Sequence, residues 1–195
     1  MSRNRELAGS FPVPSPSQEA GPLPDAPPAF GERFAQLFGA HHERLFRVMN
    51  RMSGDPELAA DVVQEAFVRL YRRGSLPDSP EAWLISVAMN QFRNEKTARR
   101  RRLRLLTPLR ALELRGAPPV DPADAADAEE SRREVRQALD LLPERERAML
   151  LLQAEGYRYR DIAAALGLNE ASVGVLLARA RIAFRRAYEG PHASR

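Results

Sequence analysis

The chain has 195 residues, enough for one or two small domains, and its 30 Lys+Arg against 26 Asp+Glu give a formal charge of only +4. It has no cysteine, which excludes disulfides and thiolate metal sites and suits a reducing cytoplasm. No apolar run approaches the ~20 residues of a membrane span, and the charged start leads into prolines instead of an apolar block, so neither membrane insertion nor a signal peptide is expected.

Residues 1–30 read as a disordered, proline-rich tail, because SFPVPSPSQEAGPLPDAPP cannot bury enough apolar surface to offset its ordering entropy. From Phe30 a helical period takes over. Phe34, Leu37, Phe38, His41, Leu45, Val48, Met49 and Met52 recur at three- and four-residue steps, an apolar stripe. Ser53-Gly54-Asp55-Pro56 stops that helix, and Asp55 with Pro56 starts the next. The second helix, about 56–73, turns Leu58, Val62, Val63, Ala66, Phe67, Leu70 and Tyr71 inward and leaves Asp61, Gln64 and Glu65 outside. A loop dense in turn residues, 74–80, leads to a third helix that Ser79 can cap, with Trp83, Leu84, Val87, Ala88 and Phe92 on its core side. That helix runs into an arginine tract ending near residue 106, where the first domain closes.

Residues 107–133 read as a linker with acidic punctuation and a short helical turn at 109–115. Helical period resumes with Val135, Leu139 and Leu142. Pro143 opens a further helix that Gly156 ends. A short helix from Tyr159 to Leu166 stops at Gly167, and Asn169 caps a last helix to about Tyr188. Nothing strand-like survives this reading. The expected fold is all-α: two small helical domains, 31–106 and 134–190, joined by a flexible linker, the second with a helix-turn-helix.

Three patterns carry chemistry. Ile162, Ala163, Leu166, Leu168, Val173, Leu177 and Ala180 are small or branched where two crossing helices must touch, with Gly167 at the turn, which outlines a helix-turn-helix or an ordinary helical hairpin. From Arg93 to Arg104 there are 7 basic residues and 1 acidic one, a density that favours nucleic acid through counterion release, against a solvated helix end. Ser75, Asp78, Ser79, Asn90, Gln91 and Asn94 add hydrogen-bonding groups beside that charge, as pockets for single-stranded bases require. An enzyme finds little support. His41, His42 and Glu43 point to different helix faces without a third ligand at useful spacing, and no phosphate-cradling loop or nucleophile motif is present, so no catalytic residue, metal or cofactor is expected.

Taken together, the two blocks resemble the extracytoplasmic-function sigma factors, two-domain bacterial initiation factors of the sigma-70 family. DPELAADVVQEAFVRLYRR is similar to the family's promoter-domain helix, with Asp61, Gln64, Glu65 and Phe67 at its Asp-x-x-Gln-Glu-x-Phe core. The resemblance implies docking of that face on the clamp helices of the largest subunit of RNA polymerase core. SPEAWLISVAMNQFRNEKTARRRR looks like the family's next helix. It implies that Ser75, Asp78 and Ser79 help hold a flipped minus-ten base, while Asn90, Arg93, Asn94, Arg99, Arg100, Arg101 and Arg102 hold backbone and duplex edge. LPERERAMLLLQAEGYRYRDIAAALGLNEASVGVLLARAR is similar to the minus-thirty-five domain, which in the family meets the polymerase flap and promoter DNA. Members are commonly held by an anti-sigma factor, which makes such a protein a possible partner.

The last helix departs from the family. Relatives usually carry threonine, valine, a basic residue, serine and arginine where this chain has Ser172, Val173, Gly174, Val175 and Leu176. Stepping 100° per residue from a buried Val173 puts Leu177 and Ala180 inside and Ala171, Gly174, Val175 and Ala178 outside, so the reading positions lack hydrogen-bond donors. Arg158 replaces the usual N-cap serine of the preceding helix. One expectation is that Val175 and Ala178 touch thymine methyls, Gly174 permits close backbone approach, and Arg158, Arg160, Arg179 and Arg181 contact phosphates. The other is that this domain mainly binds polymerase or a regulator. For the whole chain, the alternative to a sigma factor is a free-standing, dimeric helix-turn-helix regulator that acts without polymerase, with a metal-dependent nucleic-acid enzyme a distant third.

Overall fold

The computed structural model describes residues 28–105 and 126–190. The N-terminal tail to residue 27 and the stretch 106–125, which includes the expected helical turn at 109–115, lie outside the described residues. Within them are seven α-helices and no strand: α1 (Pro28–Ser53), α2 (Pro56–Arg73), α3 (Pro80–Leu105), α4 (Ala126–Asp140), α5 (Glu144–Ala154), α6 (Tyr159–Leu166) and α7 (Glu170–Glu189). The all-α reading holds.

The helix boundaries follow from local chemistry. Asp55 is extended (φ −136°, ψ 106°), and its carboxylate accepts the Glu57 and Leu58 amides at 3.2 Å each, supplying partners for donors that a helix start leaves open. Pro56 follows at the first helical position. At the other end of α2 Gly74 adopts φ 68°, a left-handed conformation that lets its amide reach the Tyr71 carbonyl. Ser79 contributes its carbonyl, which accepts from the Trp83 amide at 3.0 Å.

By contact the chain forms two units, which cut across the helices. The first comprises residues up to Phe92 together with Leu151–Gly174. Its core includes Leu45, Val48, Met49, Val62, Val63, Phe67, Leu70, Leu84, Ile85, Met89, Leu152, Ile162 and Leu166. The apolar stripe of α1 is therefore buried in its second half, but Phe38, expected inside, is 41% exposed. Phe38 lies against His42 and edge-on to Phe67, with ring centroids 4.6 and 4.9 Å apart. Residues 151–174, read from sequence as part of the second domain, thus group with the first.

The second unit comprises Arg93–Leu150 and the residues from Val175. Ala138, Leu139, Leu142, Ala148, Met149, Leu177 and Ala180 are buried there. Helix α4 begins at Ala126, inside the stretch expected to be linker. Its first turns, ADAEESRR, contain strong helix formers but no large apolar residue, so apolar periodicity gives no sign of them. Arg147 is buried and pairs with Asp140, a partner that such a cation requires away from water.

Candidate nucleic-acid interface

The polar face of α2 is displayed in part. Asp61 and Gln64 are exposed, whereas Glu65 is half-buried and accepts from Arg69 Nε at 2.7 Å; Arg69 in turn donates to the Gln91 side chain at 3.3 Å. Phe67, grouped with these residues by sequence, is 3% exposed and touches Phe34 and Phe38 edge-on. It therefore cannot itself meet a partner, and its part in that face is to seat α2 on α1.

Ser75, Asp78 and Ser79 are exposed in the loop between α2 and α3. Asn90 is half-buried, and its amide nitrogen has no hydrogen-bond partner among the described residues, as is also true of the Trp83 indole nitrogen. Trp83 is half-buried, neither fully core nor displayed for stacking. Asn94, Arg99, Arg101 and Arg102 are exposed along α3, and Arg100 belongs to the same helical run. Arg93 departs from the expected set: its Nε donates to Glu144 Oε1 at 2.6 Å, and Lys96 Nζ lies 3.8 Å from the other oxygen of that carboxylate. In this arrangement both cations serve a protein carboxylate.

The helix-turn-helix is formed by α6 and α7, between which the chain bends by 91°, within the usual range for this motif. Gly167 makes the turn at φ 64°. The Asn169 side chain accepts the Ala171 amide at 3.0 Å and its carbonyl the Ser172 amide at 2.9 Å, so the cap expected of it forms. Arg158 precedes α6 with no side-chain cap, leaving its guanidinium outward. Arg160, Ala171, Ser172, Val175, Ala178, Arg179 and Arg181 are exposed, Val175 at 57%, and Val173, Leu177 and Ala180 are buried as the helical step requires. Gly174 differs. It is half-buried, and a Cβ placed on it would lie 3.7 Å from the Tyr159 ring, so this position has a protein neighbour as well as an outward side.

One cluster was not anticipated. Arg44, Arg47 and Arg51 of α1 converge on Glu155, just beyond α5: Arg44 Nε donates to the Glu155 carbonyl at 2.9 Å, Arg47 Nε to Oε2 at 2.8 Å, and Arg51 Nη1 to Oε1 at 2.6 Å. The hydrogen bond that Arg47 donates to Glu155 raises the Arg47 pKa. Arg44 also lies over the Tyr157 ring, 4.4 Å from its centroid, a cation–π contact. Burial pushes the Tyr157 hydroxyl up to about 12 and pulls His41 below its usual value, the latter against the opposing effect of Glu81 at 3.6 Å. The arginines' three- and four-residue spacing was visible in the sequence; the single carboxylate they share was not.

The chain matches family models in both blocks: sigma-70 region 2 over residues 37–102 and sigma-70 region 4 over residues 132–184. ECF RNA polymerase sigma factor EcfG of Rhodopseudomonas palustris is 33% identical over 138 residues, 67% of this chain and 71% of its own length. The chain belongs to the ECF sigma factors. Another relative, ECF RNA polymerase sigma factor SigE of Mycolicibacterium smegmatis, is 32% identical over 164 residues, covering 82% of this chain but only 62% of SigE. This ECF sigma factor also shares its fold with two solved structures. One is CnrH in complex with the cytosolic domain of CnrY (TM-score 0.57, 23% identity, 82% of this chain and 90% of that one). The other is the sigma factor RpoE in complex with the anti-sigma factor NepR from Bartonella quintana (TM-score 0.60, 20% identity, 81% and 98%). Among the described residues no single helix is long and apolar enough to cross a membrane, and no group of His, Asp or Glu is arranged to hold a metal ion.

Proposed function

We propose that this sigma factor binds RNA polymerase core, directs it to promoters and helps open the DNA there, acting in the cytoplasm as a regulatory protein without a catalytic site of its own. The observation that carries the reading is the presence of both sigma-70 regions, in order, in one chain. We divide the chain functionally into a tail (1–30), a polymerase and minus-ten domain (31–106), a linker (107–133) and a minus-thirty-five domain (134–190).

In this reading the exposed Asp61 and Gln64, with Glu65 behind them, dock on the clamp helices. Opening the minus-ten element costs unstacking energy of a few kcal/mol, which a base pocket at Ser75, Asp78 and Ser79 and phosphate contacts along α3 offset. The exposure of Arg99, Arg101 and Arg102 supports the phosphate role. Arg93 joins them once it leaves Glu144. The second domain meets the flap and places Val175 and Ala178 against thymine methyls, with Gly174 at the groove and Arg158, Arg160, Arg179 and Arg181 on phosphates; its specificity then comes from methyls and DNA shape. The exposure of Val175 beside these arginines supports that assignment. The RpoE and CnrH structures, each with a partner chain, support an anti-sigma factor as a further partner.

Run-off transcription with core polymerase on genomic fragments tests the reading. Discrete transcripts that require the chain are expected, from promoters sharing a minus-ten motif and an upstream motif. Tight, specific duplex binding without core, and no transcript, would overturn it in favour of a free-standing regulator. Transcripts from promoters with no shared upstream motif would overturn the assignment of Val175 and Ala178.

A further inference from the structure

The outward side of α7 has little with which to form a hydrogen bond to a base. Ala171, Val175 and Ala178 are exposed but carry no polar side-chain atom, and Gly174 has no side chain at all. A phenol stands beside that bare position. A Cβ built on Gly174 would lie 3.7 Å from Tyr159 Cε2, the ring carbon next to the one that bears the hydroxyl, and among the described residues nothing else from outside α7 comes within 4 Å. Tyr159 is the first residue of α6 and is 41% exposed, and among the described residues its hydroxyl makes no hydrogen bond. Any larger residue at 174 would send its Cβ and the atoms beyond it toward the outer edge of that ring. Glycine leaves the edge open.

Helical geometry places the opening within the reading surface. At 100° per residue Gly174 stands about 60° from Ala171 and about 40° from Ala178, whereas the exposed Ser172 hydroxyl is about 160° away on the opposite flank. Arg158 and Arg160, both exposed, flank the tyrosine in the chain. Arg158 makes no side-chain hydrogen bond to cap α6, and Arg160 stays 61% exposed although its Nε lies 3.6 Å from Asp161. Two such cations can hold phosphates and fix the register, with the phenol between them facing the groove.

We infer that Tyr159 is a specificity-determining residue for the upstream element: its hydroxyl reaches the base edge past Gly174 and donates a hydrogen bond to N7 of a purine in the major groove. The inference rests on the two-element promoter reading above. A phenol can donate, and the acceptors that the major groove offers are purine N7, guanine O6 and thymine O4. N7 is common to both purines and lies toward its own strand's backbone, so a group entering from the flank, between held phosphates, meets it first. Tyr159 then separates purine from pyrimidine at one base pair, while Val175 and Ala178 sense thymine methyls at others.

Titration of promoter DNA with the full-length chain and core polymerase tests the assignment, on a promoter found by run-off transcription and its single-base-pair variants across the upstream element. The parent is expected to prefer purine at one position. Tyr159→Phe, which keeps the ring beside Gly174, is expected to reduce that preference about twofold to tenfold and to leave the others as they were. A 7-deazapurine at the same position removes N7 alone; it should weaken the parent by the same factor and leave Tyr159→Phe unaffected. Equal weakening of Tyr159→Phe on every variant would overturn the base contact in favour of a phosphate contact. Parent-like preferences in Tyr159→Phe would overturn any reading role. A parent indifferent to 7-deazapurine throughout the element would overturn the hydrogen bond whether or not the variant folds. If the parent itself shows no dependence on the upstream element, the minus-thirty-five reading fails and the Tyr159 assignment with it, an outcome seen before any variant is made.

Discussion

Replacing Gly174 with alanine should move fold stability and promoter binding in opposite directions. Gly174 is the fifth residue of α7, and an alanine Cβ there would sit 3.7 Å from the Tyr159 ring, an ordinary van der Waals distance, with nothing else within 4 Å. The substitution therefore removes the entropy that glycine loses in a helix interior, about 0.8–1.0 kcal/mol, without introducing a clash. At the usual unfolding entropy this is about 4–8 °C in Tm if a domain of 60–100 residues melts alone and about 2–4 °C if the whole chain melts together. On DNA the same methyl would enter a groove that the bare backbone is proposed to approach. Overpacking at such a close approach costs about 1–3 kcal/mol, or roughly fivefold to 150-fold in affinity for the upstream element. Thermal unfolding and promoter titration with core polymerase, with and without the upstream element, measure the two effects. A Tm that does not rise would refute the packing argument. A raised Tm with unchanged dependence on the upstream element would refute close approach at Gly174.

Gln64→Ala with Glu65→Ala should weaken core binding about tenfold, as removing one or two charge-assisted hydrogen bonds would; because Glu65 also holds Arg69, the single Gln64→Ala separates docking from helix-face repair, and unchanged affinity in both variants would remove α2 from the polymerase interface. Neutralising Arg99, Arg100, Arg101 and Arg102 together should lower the salt slope of promoter binding by about 0.7–0.9 for each phosphate that is no longer neutralised, up to about 3.6 in all, and an unchanged slope would show that the tract does not touch DNA. Burial lowers the His41 pKa below the 6.5 it has when unfolded, although Glu81 and Asp161 oppose the shift. Below pH 6.5 the unfolded chain therefore binds this proton first, so His41 contributes stability above pH 6.5 that is lost as pH falls through its lower folded pKa. Denaturant melts of the parent should show that loss, and His41→Gln should reduce it; identical pH profiles would indicate that the imidazole is not desolvated.

The features legible in the sequence are those that one short segment determines. Asp55 with Pro56, Gly74, Gly167 and Asn169 each satisfy or redirect backbone groups within four residues, so their roles could be read from residue type and position. Likewise the 100° step that placed Val173, Leu177 and Ala180 inside and Val175 and Ala178 outside needed only helical geometry and one buried anchor. Periodicity could not say where a stripe loses its cover, and Phe38 remains partly in water although it keeps the spacing of Leu45 and Met49. Nor could it find the first turns of α4, whose sequence holds helix formers and no large apolar residue.

The candidate site was harder because a side chain's exposure and its pairing depend on distant residues. Phe67 and Gln64 belong to one short motif, yet three residues of helix, about 300° of rotation, separate a buried ring from an exposed amide. Arg93 and Arg101 are both arginines of one basic tract, but only Arg93 is within reach of Glu144. Charge density identifies a region that can hold phosphate, and the ion pairs decide which cations must first be released to do so. Arg44, Arg47 and Arg51 extend that argument: cations three and four residues apart along α1 share one carboxylate more than a hundred residues away, which their spacing alone does not announce.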